Sequence, residues 1–353
     1  MRGGTSKGLF FHADDLPTDV AVRDRVLLAA LGSPDSRQID GLGGAHPLTS
    51  KVAVISKSHR ADADVDYLFL QVAVDKPQVS DSQNCGNLLA AVGPWSIENG
   101  LVPVSGDTTA VRIHMVNTQS LAVARVDTRH GAVQYEGGAR IDGVPGTAAA
   151  IPLEFLDVAG SSCGKLLPTG NPSDRYGDLE VSCIDNGMPV IIVRAVDLAV
   201  TGGETPGELE ANAELKRKVE ALRLAVGPRM NLGDVTRKTV PKICLVSAPR
   251  AGGHIATATF IPHRVHEAIG VLGAVSVATA CVIPGSVASQ VAQRADSAGS
   301  IVNVEHPSGF FSVEVEVESG SGGFQVKRAS LLRTARKLMQ GQVFVPGHAL
   351  KPS

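Results

Sequence analysis

The chain has 353 residues, 43% of them hydrophobic and 19% charged, with a formal net charge of −2 and a mean hydropathy of +0.10. That length exceeds one ordinary hydrophobic core and predicts two domains, while the near-neutral balance excludes a global basic field for nucleic acid or an anionic membrane. Aromatics are scarce at 4%, and Gly (38) and Pro (20) are abundant, a mix that suits short strands joined by tight turns.

At the start, Arg2-Gly3-Gly4-Thr5-Ser6-Lys7-Gly8 gathers cations, hydroxyls and glycines in one short stretch. This composition suits an anion-binding loop with usable main-chain N–H groups; a plain glycine-rich turn is the competing reading. Val22 to Leu31 is an amphipathic helix. Asp40 to His46 is glycine-rich but lacks the GxGxxG fingerprint and a surrounding βαβ unit, so a nicotinamide cofactor has little support. Strands are expected at Val52–Ile55 and Tyr67–Val72. Asn87 to Asn99 then reads as a helix apolar on every side, which belongs inside a fold. Val111–Val116 and Leu121–Val126 form a hairpin across Asn117 to Ser120. Further strands follow at Val190–Val193, Ile243–Val246 and Phe311–Val317. An amphipathic helix spans Pro206 to Val226, and a second all-apolar helix runs from about His263 to Val282. One central helix in each half implies two sheets, each wrapped around its own helix, with the boundary near residue 160.

The five cysteines (Cys85, Cys163, Cys183, Cys244, Cys281) are dispersed, with no CxxC pair, so neither a zinc site nor a disulfide framework is indicated and a reducing cytoplasm fits best. No secretory signal opens the chain. The longest apolar run, Ala268 to Pro284, is broken by Gly270, Gly273, Ser276 and Thr279 and reads as a buried helix, not a membrane span. Neither clustered carboxylates nor an HExxH pattern suggests a metal.

Two positions stand out chemically. Asn84-Cys85-Gly86-Asn87 precedes the first apolar helix. Helix-start N–H groups can hold a carboxylate there, Gly86 allows close approach, and Cys85 would gain thiolate character. Asn87 is a candidate cap. A buried structural cysteine is the bland alternative. Lys51, after Thr49 and Ser50, enters an apolar strand, where desolvation disfavours the ammonium form as a general base requires. The alternative is an edge-strand lysine with its head in water. His263, His266 and His306 could line a pocket.

As a set, Met1 to Gly8, Gly32 to Asp35, Gln38 to Gly44, Leu48 to Val52 and Asp64 to Phe69 stand in the order found in one family. So do Asn84 to Asn87, Pro168 to Asn171, His306 to Gly309 and Arg333 to Arg336. The whole chain resembles the PrpF-like family of 2-methylaconitate cis–trans isomerases and 4-oxalomesaconate tautomerases. Phe260 to Gly273 is most similar to the tautomerase branch. The family's usual segment before Arg-Gly-Gly-Thr-Ser is missing here, where that motif begins at Met1, so a truncated start or a missing first strand is expected.

The resemblance implies an α+β, diaminopimelate-epimerase-like fold. Its first domain would span residues 1–158, joined by a returning strand within 333–353 at about Lys337 to Val345, and its second 159–332. The active site would lie between the domains. It further implies a 1,3-allylic proton transfer without cofactor or metal, with Lys51 and Cys85 catalytic. Arg2, Thr5, Ser6, Ser50, Asn84, Gly86, Asn87, His266, Gly270, Leu272, Gly273 and Ser308 would bind a small polycarboxylate. No nucleic acid or membrane partner is expected, and a homodimer is allowed for. A two-thiol racemase is the nearest rival, but Cys281 lies about three turns beyond the second helix start, too far to serve as its second thiol. A non-catalytic acid-binding protein is the rival from a different class.

Overall fold

The computed structural model describes residues 1–81, 84–156, 158–261, 264–293, 301–320 and 323–351; His263, considered above as a pocket residue, lies outside them. The chain divides into two compact units, Met1–Leu156 with Arg333–Ser353, and Asp157–Leu332. Among the described residues no helix is long and apolar enough to cross a membrane.

The first unit comprises β1 (Arg2–Gly3), β2 (Ser6–His12), α1 (Val20–Leu31), β3 (Lys51–Lys57), β4 (Val65–Val72), β5 (Val79–Ser80), α2 (Gly86–Glu98), β6 (Thr108–Met115), β7 (Ser120–Asp127) and β8 (Ile151–Leu156). β1 and β2 form a hairpin, and β2 runs parallel to β3. β3 is antiparallel to β4, β4 parallel to β6, and β6, β7 and β8 antiparallel in turn. Alternation along β3 decides which residues meet which helix. Val52 and Val54 pack with Val26, Leu27 and Leu31 of α1, which leaves Lys51, Ala53 and Ile55 on the opposite face, toward α2. α2 is buried continuously from Leu88 to Pro94. Its Gly93 lies close against β7, since a Cβ there would lie 2.9 Å from Val126 and 3.0 Å from Ala124.

The second unit repeats this topology. It contains β9 (Asp174–Tyr176), β10 (Leu179–Asp185), β11 (Pro189–Arg194), α3 (Pro206–Ala211), α4 (Ala213–Val226), β12 (Lys242–Ser247), β13 (Ile255–Ile261), β14 (Arg264–Val265), α5 (Val271–Val282), α6 (Val287–Val291), β15 (Ile301–His306), β16 (Gly309–Gly320) and β17 (Gly323–Arg333). β11 is parallel to β12, β12 antiparallel to β13, β13 parallel to β15, and β15, β16 and β17 antiparallel in turn. Ile243 and Leu245 of β12 pack with Leu215, Val219 and Leu222 of α4. Lys242 and Cys244 therefore lie on the α5 side. α5 is buried from Gly273 to Cys281.

Several expectations need correction. The stretch Arg2 to Gly8 is a strand hairpin whose tip is Gly4-Thr5, with Gly3 paired to Ser6. The helix expected over Pro206 to Val226 is two helices, because Asn212 leaves helical geometry (φ −82, ψ 89) and caps the second through Leu215 N–H. The second central helix begins at Val271, since Arg264 and Val265 pair with Phe260 and Ile261 as β14. The strand that joins the first unit is β18 (Ala335–Arg336), pairing with β1, and Lys337 to Pro346 forms no strand.

Candidate active site

In the first unit, Lys51 opens β3 between β2 and β4, so it is not an edge residue, and it is only 7% exposed. Its Nζ donates to Gln71 Oε1 at 2.6 Å and lies 5.0 Å from the centre of the Phe69 ring. Gln71 has a fixed amide orientation: its Nε2 donates to Ser50 O at 2.9 Å and Pro47 O at 3.1 Å. With the N–H groups held by backbone carbonyls, the amide oxygen faces the lysine. The amine is thus aimed by a neutral acceptor, and among the described residues no carboxylate pairs with it.

Ser50 was expected to contact ligand. The structure instead buries its hydroxyl, which donates to Val72 O (2.9 Å) and accepts from Gln38 Nε2 (2.7 Å). Gln38 also accepts from Ala45 N–H through Oε1 at 2.9 Å. Ser50 therefore anchors the glycine-rich loop from Gln38 to Gly44 beside the lysine.

Cys85 is the N-cap of α2, in extended geometry (φ −126, ψ 99) and with no side-chain cap bond. Asn87 is not the cap; its Nδ2 donates to Thr5 Oγ1 at 3.0 Å. Helix-start N–H groups left without a side-chain cap remain open to an anion. Tyr67, fully buried on the same face of β4 as Phe69 and Gln71, donates to Cys85 O at 3.4 Å. Burial, and secondarily Cys85, push the Tyr67 phenol well up, so it stays a neutral donor. One face of β4 thus carries contacts to Lys51 at one end and to Cys85 at the other.

The β1–β2 hairpin lies directly on this helix start. A Cβ at Gly3 would sit 2.5 Å from Asn87 O, and one at Gly4, where φ is +50, 2.2 Å from Asn87 Oδ1. Only glycine allows that approach. Arg2, expected to reach an anion, uses Nη1 to hold Gly4 O, Thr334 O and Thr334 Oγ1, each at 2.9 Å. It pins the hairpin. Ser6 Oγ and Asn84 Oδ1 are buried without a hydrogen-bond partner among the described residues, whereas Asn84 Nδ2 donates to Thr118 Oγ1. Buried oxygens in that condition are uncommon and call for a partner.

In the second unit, a cavity of about 240 Å³ is lined by Met188, Val190, Lys242, Cys244, Thr259, Ile261, His266, Ile269, Gly270 and Gly273. His266, Gly270 and Gly273 had been singled out from the sequence; Lys242 and Thr259 had not. Gly270 is the N-cap of α5, again with no side-chain cap bond. His266 Nδ1 accepts from Ala268 N–H at 2.9 Å, which leaves the ring proton on Nε2. Burial, then Lys242, holds the His266 imidazole below its usual value, so it is neutral at pH 7. Leu272 packs near Gly187, 3.1 Å from where a Cβ there would sit. Ser308 lies at the β15–β16 turn, its hydroxyl 3.2 Å from His306 Nδ1. Neither Leu272 nor Ser308 lines the cavity. Among the described residues no three His, Cys, Asp or Glu side chains cluster as metal ligands would.

All five cysteines are free, and Cys85 alone is not buried. Burial pushes the Cys163 and Cys244 thiols up to about 12 and raises Cys183 and Cys281 as well. Iodoacetamide at neutral pH is therefore expected to add one label per chain, on Cys85, as read by intact mass and peptide mapping. Labelling at Cys163 or Cys244 in the folded protein would contradict this.

The family model described as "PrpF protein" matches residues 1–346. The chain is 61% identical to the (4E)-oxalomesaconate Delta-isomerase of Novosphingobium sp., across 98% of this chain and 96% of that protein. It is 59% identical to the 4-oxalomesaconate tautomerase of Pseudomonas putida, across 98% and 94%. The crystal structure of a methylitaconate-delta-isomerase superposes with a TM-score of 0.88 at 37% identity, covering 100% of this chain and 96% of the other. The shared architecture is α+β and diaminopimelate-epimerase-like.

Proposed function

The chain belongs to the PrpF protein family, and from that membership we propose that it is an isomerase that tautomerises 4-oxalomesaconate. The observation that supports the substrate is the identity of 61% to a (4E)-oxalomesaconate Delta-isomerase and of 59% to a 4-oxalomesaconate tautomerase, each over 98% of the chain. The five free cysteines suit a reducing compartment, and we place the enzyme in the cytoplasm.

The chemistry is a 1,3-allylic proton transfer. The free amine of Lys51 takes a proton from the carbon next to the substrate's carbonyl or vinylogous carboxylate. That C–H bond breaks, an N–H bond forms, and the electron pair spreads into a dienolate. Cys85 S–H returns a proton to the far carbon, so the double bond moves and the molecular formula is unchanged. Transfer of a proton from the Lys51 ammonium to the Cys85 thiolate resets the enzyme. Gln71 Oε1, at 2.6 Å from Nζ, sets the direction of the amine. The uncapped start of α2 and the buried hydroxyl of Ser6 are suited to a substrate carboxylate and to dienolate charge. Arg2, Ser50 and Asn87 act as positioning residues, through the bonds that fix the hairpin and the loop.

An ultraviolet assay with 4-oxalomesaconate, 2-methylaconitate and aconitate side by side tests the assignment. We expect kcat/KM for 4-oxalomesaconate to exceed that for 2-methylaconitate by at least about tenfold, the scale of discrimination that small differences in substrate shape support. Equal or better turnover of 2-methylaconitate would move the enzyme to the other branch of the family.

A further inference from the structure

The edge of β4 that faces away from β3 is shared by two neighbours. Tyr67 pairs with Met115 of β6, and its carbonyl accepts from Val116 N–H at 2.9 Å. Gln71 pairs with Ser80 of β5. Phe69 falls between them, past the end of one strand and short of the other. It is fully buried, so its main-chain N–H and C=O need partners there. One side chain supplies both. Asn117, in the turn between β6 and β7, accepts from Phe69 N–H through Oδ1 and donates to Phe69 O through Nδ2, each at 2.9 Å. A carboxamide carries the donor and the acceptor of a peptide group, and here it stands in for a strand residue.

The same Nδ2 donates to Asp81 O at 2.7 Å, just beyond β5. Beside it, Thr118 Oγ1 accepts from Asn84 Nδ2, which also lies 3.5 Å from Met115 Sδ. Asp81 and Asn84 stand on the stretch of chain that leads into Cys85. The β6–β7 turn therefore grips β4 under Lys51 and the approach to Cys85 at once. The two groups depend on it unequally. Lys51 is held by a continuous ladder between β3 and β4, from Lys51–Gln71 to Lys57–Val65. Cys85 lies outside every described strand, its carbonyl held by Leu89 N–H at 3.0 Å and the Tyr67 hydroxyl at 3.4 Å. Loss of the turn's contacts thus shifts the thiol and leaves the amine in place.

We propose that Asn117, assisted by Thr118, is a positioning residue for Cys85: its amide ties the approach to the start of α2 onto β4 and so fixes where the thiol stands. That the thiol moves a proton rests on the function proposed above; the hold on Cys85 does not.

Hydrogen–deuterium exchange of the whole protein, read by mass spectrometry, tests the hold without substrate. In Asn117→Asp and in Thr118→Val, the peptide containing Leu89 is expected to exchange about three- to tenfold faster than in wild type, the weight of a lost hydrogen bond in a local opening. The peptide over Val52–Ile55 should keep its wild-type rate. Asn117→Asp retains the acceptor for Phe69 N–H but turns an oxygen toward Phe69 O and Asp81 O. Thr118 is exposed, so its replacement guards against a variant that fails to fold. With 4-oxalomesaconate, kcat is expected to fall by about ten- to a hundredfold, the scale of a small misplacement, while KM stays within about twofold. In deuterated water the ratio of substrate C–H exchange to double-bond transposition should rise, because proton delivery is impaired and proton removal is not. A purely structural role would lower the melting temperature and leave that ratio as in wild type. Wild-type exchange at Leu89 in both folded variants would overturn the proposal, as would equal acceleration over Val52–Ile55 or an unchanged ratio. If exchange at Leu89 quickens yet even the wild type leaves 4-oxalomesaconate unconverted, the hold on Cys85 stands and only the proposed activity falls.

Discussion

Lys51→Met is expected to lower kcat/KM for 4-oxalomesaconate by about 10²–10⁴, the range for removing a positioned acid–base group. Methionine keeps the length and the apolar stem that crosses Phe69 and removes only the titrating head. The fold should survive, because the lost bond to Gln71 is one neutral-acceptor contact, worth about 1 kcal/mol. Thermal melting checks that point and steady-state kinetics the first. A melting temperature close to wild type together with a wild-type rate would remove Lys51 from the mechanism. The orienting amide gives a graded companion: Gln71→Leu should reduce kcat more than it raises KM, since it leaves the amine present but unaimed.

Cys85→Ala is expected to separate the two halves of the reaction. Proton removal by Lys51 needs no thiol, so in deuterated water this variant should still exchange the acidic C–H of the substrate, seen as loss of its proton resonance. Delivery to the far carbon should fall by about 10²–10⁴, again the worth of one positioned proton donor. Lys51→Met should lose both processes. If Cys85→Ala transposes the double bond at the wild-type rate, the Lys51 ammonium returns the proton itself and the thiol is dispensable. Loss of exchange as well as transposition would mean that Cys85 is needed for the first step.

Much of this arrangement was legible in the residues. A lysine ahead of Val52-Ala53-Val54-Ile55 announced a cation entering a buried strand, because apolar β-branched runs define strands by themselves. The two central helices were visible as segments with no polar face, and the structure buries the middle of each, Leu88 to Pro94 and Gly273 to Cys281. Other features were hidden for physical reasons. Glycines and hydroxyls from Arg2 to Gly8 look alike in an anion loop and in a hairpin pressed on a helix; only the 2.2 Å clash at Gly4 tells them apart. Ser50 stood beside a catalytic candidate, and nothing local revealed that Gln38 and Val72 O would saturate its hydroxyl. Gln71 could not be found without the register that sets it opposite Lys51. Lys242 carried the same local signal as Lys51, a lysine leading an apolar strand, yet the duplication that relates the two exists in strand pairing and leaves no repeat in the sequence.

The short pairing of Ala335–Arg336 with Arg2–Gly3 has a consequence for how the chain is made. A polypeptide emerging from the ribosome has the whole second unit in hand before it has the last strand of the first. Until then the opening hairpin lacks both its outer neighbour and Thr334, the residue that Arg2 grips. Translation is vectorial, so the half that carries Lys51 and Cys85 waits for Thr334 to Arg336 to be made before it is clamped. A prematurely ended chain would carry the full chemical complement and no fixed helix mouth to use it.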